Sequence, residues 1–211
     1  MTDAKLDKLR PKLLAAILAH VPFDGWSDRA LRAGAEDVGA DLATLHRAFP
    51  RGVSGVLAFW AAESDRAMLA ALEQHDLDAM RVSERIATAV RERLEVNAGH
   101  REALRLALGR AVLPRHAPDA MAALWRSVDA MWHAAGDTAT DFNFYTKRGL
   151  LAGVYSSTLL YWLNDKSDGQ AESWAFLERR IADVMRVPKA LARLRACLPD
   201  PERIIRRAAR G

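Results

Sequence analysis

The sequence predicts an all-α protein, a bundle of about nine or ten helices. Apolar residues recur at three- and four-residue spacing along almost the whole chain, which is the period of an amphipathic helix. Alternating runs of Val, Ile and Thr are scarce, whereas Ala, Leu and Arg, which favour helix, are abundant. The 211 residues, 50% of them hydrophobic, suffice for one domain with its own core.

Residues 1–52 predict a three-helix unit of the helix-turn-helix type. A first amphipathic helix is predicted to end at Pro22, and Ser27 then caps a second helix. Gly39 breaks that second helix, and Asp41 caps a short third one. Two short helices joined by a tight glycine turn form the helix-turn-helix pattern.

Six longer amphipathic helices follow. Their predicted bounds are residues 53–74, 83–95, 101–113, 117–135, 141–163 and 172–185. Glycine, proline, asparagine or aspartate stands at most of the breaks between them. We therefore expect a helical bundle over residues 53–185.

The basic character of the chain lies in its C-terminal tail, residues 186–211. The whole chain has a net charge of +4. The tail carries eight Lys or Arg against two acids, a net of +6, which leaves the rest at −2. Its first half predicts an amphipathic helix that lies on an anionic membrane or packs on its own domain. The predicted membrane-docking residues are Val187, Lys189, Leu191, Arg193, Leu194 and Leu198.

Several function classes find no support in the sequence. There is no phosphate loop, no Gly-rich dinucleotide turn and no Gly-x-Ser-x-Gly elbow, so we expect neither an enzyme nor a cofactor. Asp129 and His133 share a helix face, which predicts a surface ion pair rather than a metal site. The single Cys197 fits a packing role in a reducing compartment. The longest apolar run, residues 150–163, is shorter than the roughly 20 residues that a bilayer requires.

Residues 35–60 resemble the DNA-binding end of TetR-type repressors, with a glycine turn, a short helix and a long connecting helix. The chemistry of this surface does not suit DNA. Asp37 and Asp41 would repel phosphates, and only His46 and Arg47 follow them. We expect no nucleic-acid partner, and a lipid-responsive transcription regulator of the TetR type is the alternative function. A hydroxylase is a third possibility, which would require bound metal.

Five motifs that all begin within residues 124–176 carry a second resemblance. They are Asp129-x-Met131-Trp132-His133, Ala135-Gly136-Asp137, Thr140-Asp141-Phe142-Asn143, Tyr145-Thr146 and Trp174-x-Phe176-Leu177. This segment closely resembles the lipid-binding accessory proteins of ubiquinone biosynthesis, the ninth in the coenzyme Q series. The resemblance extends more weakly to the helix-turn-helix region and so covers most of the chain.

This resemblance implies a function without catalysis. Proteins of that family have a TetR-like fold without a working DNA-binding unit, form homodimers and hold isoprenoid quinones or phospholipids in an apolar cavity. They dock on the membrane through a C-terminal helix and assist the di-iron demethoxyubiquinone hydroxylase. For this chain we expect a bundle that binds ligand and dimerises, in a bacterial cytoplasm at the inner membrane. Leu151, Tyr155 and Trp162, on one line of a helix, are the expected cavity residues.

The resemblance also implies a partner-binding patch. In the family it includes the aromatic pair after the Asp-Phe-Asn motif, which falls here on Phe144 and Tyr145. The expected patch residues are Asp141, Phe144, Tyr145, Lys147, Arg148 and Met131. The family usually has tryptophan where this chain has Phe144, so an apolar anchor stays but an indole N–H is lost. Ordinary core packing is the alternative for the aromatic pair.

Overall fold

The computed structural model describes residues 3–136 and 142–197, with side chains for 4–136 and 145–186. Over these residues the chain forms nine α-helices and three short 3-10 turns, with no strand, so the predicted all-α class is confirmed. The helices are α1 (Asp3–Asp24), α2 (Asp28–Asp37), α3 (Leu42–Ala48), α4 (Gly52–Leu72), α5 (Val82–Glu95), α6 (Arg101–Ala111), α7 (Ala117–Ala134), α8 (Phe142–Asn164) and α9 (Ala171–Cys197).

The helix-turn-helix unit forms through its predicted caps. The Ser27 hydroxyl accepts a hydrogen bond from the Ala30 N–H, and the Asp41 carboxylate accepts one from the Thr44 N–H at 2.7 Å. Each cap satisfies a backbone donor that the first turn of a helix leaves unpaired. Between the two helices, Gly39 adopts a φ of 67°, in the left-handed region that glycine enters without strain.

A glycine, rather than the proline, ends α1. This helix continues through Pro22 to Asp24, so the predicted end at Pro22 is wrong. The fixed φ of proline suits a helix, and near the end its missing N–H removes only one hydrogen bond. Gly25 adopts a φ of 65° and donates its N–H to the Val21 carbonyl at 2.9 Å, which terminates the helix.

Helices α1 to α4 and α6 enclose the first of two cores. Gly34 allows α1 and α2 to pack closely, because a Cβ there would lie 2.6 Å from the Ile17 nitrogen. The indole N–H of Trp26 donates to the Ala103 carbonyl at 2.9 Å, and the Trp26 ring lies 5.4 Å from that of Trp60. Trp26 therefore joins the N-terminal unit to α4 and α6.

Helices α4, α5, α7, α8 and α9 enclose the second core. Met68, Leu94, Val128 and Trp162, one from each of α4, α5, α7 and α8, are fully buried there. The long helix α4 contributes to both cores, with Trp60 in the first and Met68 in the second. The N-terminal unit and the bundle are therefore built on a shared helix.

A buried carboxylate, Asp65 on α4, ties α4 to α5 and α7. Its Oδ1 accepts from Arg93 Nε at 2.8 Å and from Ser127 Oγ at 2.6 Å, and its Oδ2 accepts from Arg126 Nε at 3.1 Å. Asp65 and Arg93 are both buried. A buried charge is tolerated only when it is paired and its lone pairs are satisfied, and these three partners meet both conditions.

Helix α9 is longer than the sequence predicts. A helix ending near Met185 and a separate tail helix were expected, but α9 is continuous to Cys197. No glycine interrupts the sequence of α9, and Pro188 alone does not stop it. The expected boundary at residue 186 therefore lies inside a helix. Among the described helices, none has the length and apolar character needed to cross a membrane.

Replacing Asp65 should destabilise the protein strongly. Asp65→Ala leaves the buried Arg93 guanidinium without its carboxylate, and we expect unfolding free energy to fall by about 3–5 kcal/mol. Asp119, which pairs with Arg51 at the surface, provides the control: Asp119→Ala should cost less than about 1 kcal/mol. Urea denaturation followed by circular dichroism measures both. Equal losses in the two variants would contradict the structural role given to Asp65.

Candidate functional site

An apolar cavity of about 400 Å³ lies between α5, α7, α8 and α9. Ten of its thirteen lining residues are apolar or glycine, and the other three are a serine, a tryptophan and a lysine. The lining residues are Val82, Ser83, Ile86, Trp132, Ala135, Gly136, Lys147, Leu150, Leu151, Val154, Ile181, Val184 and Met185. The volume lies within the range of about 300–1,000 Å³ that is usual for small-molecule sites.

Helical periodicity places these side chains on the inner faces of their helices. On α8 the lining residues follow one another at spacings of three, one and three, from Lys147 to Val154, and on α9 Ile181 precedes Val184 and Met185 by three and four. Residues at these spacings share one helix face. At the C-terminal end of α7, Ala135 and Gly136 contribute little side-chain volume, which leaves room in the cavity.

The cavity has a buried floor and an exposed rim. Ile86, Leu151 and Val154 are each 5% exposed or less. Val82, at the start of α5, is 48% exposed, and Met185 on α9 is 51% exposed. Two large apolar side chains thus lie in contact with solvent at the opening, where they extend the apolar surface of the interior.

Polar groups are few in this cavity, and two of them are adjacent. The Lys147 ammonium lies 5.6 Å from the centre of the Trp132 ring, within the range of a cation–π interaction. The Trp132 Nε1 is buried and has no hydrogen-bond partner in the part of the chain that the structure describes. A small number of polar groups in an otherwise apolar cavity is the usual composition of a ligand site.

Only one of the three residues predicted from the sequence lines the cavity. Leu151 is in its floor, whereas Tyr155 and Trp162 are buried in the second core and do not line this cavity. Burial raises the pKa of the Tyr155 phenol. The Arg101 guanidinium lies 4.2 Å from the centre of the Trp162 ring. These two side chains stabilise the bundle below the cavity.

The expected partner patch is only partly exposed. Tyr145 is 64% exposed and stacks on Trp125 with ring centres 6.2 Å apart, and Lys147 is half-buried at the cavity. Met131 is fully buried and Arg148 is 1% exposed, so neither can lie in a surface patch of this chain.

The two remaining patch residues are Asp141 and Phe144. Asp141 lies outside the described residues, and the side chain of Phe144 does as well. The proposed importance of the aromatic pair therefore stays a prediction for Phe144. For Tyr145 the exposure agrees with a surface role.

Arg148 acts inside the bundle. Its Nε donates to Asp129 Oδ1 at 2.6 Å, which joins α8 to α7. The sequence predicts a surface ion pair between Asp129 and His133, but the structure pairs Asp129 with Arg148 instead. The reason is tertiary: α8 packs against α7 at this point, and the always-charged guanidinium forms a strong charge-assisted hydrogen bond to the carboxylate. His133 remains exposed.

The short helix α3 presents a mixed surface. Leu42, His46 and Arg47 are its larger exposed side chains. Asp37 lies 2.7 Å from the His20 ring nitrogen. Hydrogen bonds from Thr44 hold the pKa of the Asp41 carboxyl below its usual value, so the carboxylate stays charged at the helix start. Two carboxylates thus flank this surface, as the sequence predicts.

The remaining sequence predictions concern metal and membrane. Among the described residues, no group of three or more His, Cys, Asp or Glu side chains could hold a metal ion. The backbone of the predicted docking residues from Val187 to Leu194 lies in α9, but their side chains, like all of Leu198, lie outside what the structure describes. The side chain of Cys197 does too.

Sequence reasoning did not find most of the cavity. Trp132 belongs to a quoted motif, but nothing local shows that its ring faces a void. The contributions of α5 and α9 depend on which helices meet. The helical spacing of Val82 and Ile86, and of Ile181, Val184 and Met185, was a signal for a shared face but not for a cavity.

The arrangement of the helices is that of a known class. The structure is similar to the TetR transcriptional regulator from Nitrosomonas europaea, with a TM-score of 0.69 at 19% sequence identity, over 85% of this chain and 99% of that one. At this identity the likeness defines the fold alone. The predicted TetR-like fold is therefore confirmed.

The sequence is similar to one group of proteins in particular. Residues 117–188 match the COQ9 family model, and these residues include most of the cavity lining. The chain is 33% identical over 90% of its length to the mitochondrial ubiquinone biosynthesis protein COQ9 of Drosophila melanogaster. It is 35% identical over 85% to COQ9-B of Xenopus laevis and 33% identical over 85% to human COQ9. The resemblance predicted from the sequence is thus confirmed.

The chain is shorter than these relatives. It spans 59%, 63% and 58% of the Drosophila, Xenopus and human proteins. The similarity therefore covers most of this chain but only part of each relative.

Filling the cavity should cost less stability than filling the core. Val154→Phe adds a ring where there is free volume, and we expect a change in unfolding free energy below about 1 kcal/mol. Val128, fully buried in the same core but absent from the cavity wall, is the control. Val128→Phe should lose roughly 1–3 kcal/mol or more through overpacking. Urea denaturation measures the unfolding free energy of both variants. A larger loss for Val154→Phe than for Val128→Phe would contradict free volume beside Val154.

Proposed function

We propose that this chain is a non-enzymatic lipid-binding protein of ubiquinone biosynthesis. It takes an isoprenoid quinone intermediate from the membrane and presents it to the di-iron demethoxyubiquinone hydroxylase. The observation that carries the proposal is the apolar cavity between α5, α7, α8 and α9, built largely by the residues that match the COQ9 family model. The printed names of the relatives, which are ubiquinone biosynthesis proteins, support the pathway.

The physical properties of the ligand explain why such a protein is needed. Exposing apolar surface to water costs about 0.8 kcal/mol for each CH₂ group, so a polyprenyl chain does not leave a bilayer unaided. At about 400 Å³, the cavity is near the small end of ligand sites. It suits one end of a long lipid, and the rest passes over the exposed apolar rim formed by Val82 and Met185.

The position of the rim supports exchange with a membrane. Met185 lies at the opening, and from there α9 continues directly into the basic amphipathic segment. Bases near an anionic leaflet contribute about 1 kcal/mol each, so this segment could bring the opening close to the lipid. Membrane docking, like a location in the cytoplasm at the inner membrane, stays a prediction. All three relatives are named as mitochondrial proteins.

A protein surface near the cavity supports presentation to a partner. Tyr145 is exposed on the first turns of α8, and Lys147, two residues further, lines the cavity. An enzyme bound at Tyr145 would thus lie close to the ligand. Aromatic side chains with charged neighbours are frequent anchors of protein interfaces. The homodimer implied by the family resemblance is part of the same proposal.

Lipid bound during expression provides the direct test. Native mass spectrometry of the purified protein should detect a bound isoprenoid quinone or phospholipid, and Val154→Phe should reduce the bound fraction several-fold by filling the cavity. Leu160→Phe is the control, because Leu160 is 57% exposed on the same helix and outside the cavity. Wild-type protein that carries and takes up no lipid would overturn the proposal.

The docking surface is tested with the purified hydroxylase. Tyr145→Ala removes an exposed ring, and we expect the affinity for the hydroxylase to fall about tenfold or more, the effect of losing an interface anchor. Tyr161→Ala is the matched control, since Tyr161 is also an exposed tyrosine of α8, sixteen residues further along. Surface plasmon resonance measures both. Equal effects of the two variants would place the interface elsewhere.

A further inference from the structure

A cluster of three large side chains, Met121, Trp125 and Tyr145, lies at the surface where α7 meets α8. Trp125 is half-buried, yet it belongs to neither of the two apolar cores of the described chain. Its ring instead stacks on that of Tyr145, with the ring centres 6.2 Å apart. Met121 precedes Trp125 by four residues on α7 and is 62% exposed. Residues at this spacing share a helix face, so the three side chains form one apolar surface outside the cores.

A single exposed tyrosine is too small to hold a partner protein. A specific protein interface buries about 800 Å² on each partner, whereas a large aromatic side chain supplies about 150–250 Å². Tryptophan, tyrosine and methionine are enriched at the centres of such interfaces, and tryptophan and tyrosine are frequent among the residues that contribute most of the affinity. Trp125 and Met121 are thus the kind of residue that an interface at Tyr145 requires.

We propose that the hydroxylase docks on Met121 and Trp125 as well as on Tyr145, and that it covers them with an apolar surface bordered by carboxylates. This inference rests on the proposed function, in which Tyr145 alone is the anchor. It extends the docking surface from the first turns of α8 along α7, and it states the chemistry of the partner surface.

The charge beside the cluster is positive. Arg126 follows Trp125, and its side chain is 45% exposed. The Arg126 Nε donates to Asp65 Oδ2, but Arg93 donates to the other oxygen of the same carboxylate. Two guanidinium groups thus share one carboxylate, so one positive charge is left over, and of the two only Arg126 reaches the surface.

Both carboxylates of α7 are paired with arginines of other helices or turns. Asp119 pairs with Arg51, and Asp129 pairs with Arg148. Lys147, near the start of α8, adds a further positive charge. Opposite charges across an interface increase the rate of association and favour the correct partner. A partner with carboxylates around an apolar centre therefore fits this surface.

A protein surface suits the cluster better than an anionic membrane does. Asp119 and Asp129 lie before and after Trp125 on α7, and both side chains remain partly exposed. An anionic leaflet would repel these carboxylates, whereas the polar rim of a protein interface can place a donor opposite each of them.

Removing the second ring tests the extended surface. Trp125→Ala should weaken binding of the purified hydroxylase about tenfold or more, because it removes an interface anchor. Trp125→Phe keeps an aromatic ring and should weaken binding less than about threefold. Phe23, 88% exposed on α1, provides the control, since Phe23→Ala should change the affinity less than about twofold. Surface plasmon resonance gives the Kd values, and thermal denaturation shows that each variant folds.

Two charged variants of Met121 test the chemistry of the partner. Met121→Lys and Met121→Glu both remove the thioether, but only the glutamate would face carboxylates of its own sign. Met121→Glu should therefore bind the hydroxylase at least about fivefold more weakly than Met121→Lys. The same pair at Phe23 should differ less than about twofold. Equal affinities of the two Met121 variants would overturn the acidic border of the partner surface.

The outcomes separate this inference from the proposed function. If the wild-type protein does not bind the hydroxylase, presentation to that enzyme fails, and this docking surface fails with it. If Tyr145→Ala weakens binding while Trp125→Ala and both Met121 variants do not, the proposed function stands and the extension along α7 is wrong.

Vesicle binding distinguishes a protein from a membrane as the partner of this surface. Flotation with vesicles of phosphatidylglycerol and phosphatidylcholine should give the same bound fraction for Met121→Glu and Phe23→Glu, because Met121 faces the hydroxylase. A lower bound fraction for Met121→Glu alone, with an unchanged affinity for the hydroxylase, would assign the cluster to the membrane and contradict the proposal.

Discussion

The buried charge of Asp65 governs how the bundle is assembled. Apolar packing is non-directional, but a buried carboxylate with three donors at fixed distances holds α5 and α7 in defined positions against α4. These helices cannot separate without leaving a charge unpaired in the interior. Helices α5 and α7 also form two of the four walls of the cavity. The ion pair thus fixes the relative positions of two cavity walls without placing a charged group in the lining.

Contacts of charged side chains also hold helix α8 in place, on either side of the part that borders the cavity. One line of this helix carries Arg148, Leu151, Tyr155 and Trp162, all buried. Arg148 fixes the start of the line to α7 through Asp129, and Trp162 under Arg101 fixes its end. Leu151, between them, faces the void. Strong contacts at both ends of a helix allow its middle to be incompletely packed, although an empty volume normally weakens a core.

Contacts between residues close in the sequence could be predicted, whereas contacts between different helices could not. The caps at Ser27 and Asp41 involve partners three residues away, so the sequence identified them. The burial of Arg148 depends on Asp129, nineteen residues away on another helix, and charge alone suggested a surface position. Helical spacing grouped Leu151 with Tyr155 and Trp162 on one face, but where the cavity stops along that face depends on how α5 and α9 cross it. Proline and glycine patterns also misplaced two helix ends, at Pro22 and near Met185.

Helix α9 runs without a break from the cavity wall into an outer arm. The helix forms one wall of the cavity up to Met185 and then continues for twelve residues to Cys197, a length of about 18 Å. The outer arm and the wall residues Ile181, Val184 and Met185 are parts of one continuous helix, so the opening of the cavity lies within about 18 Å of any surface that the arm contacts.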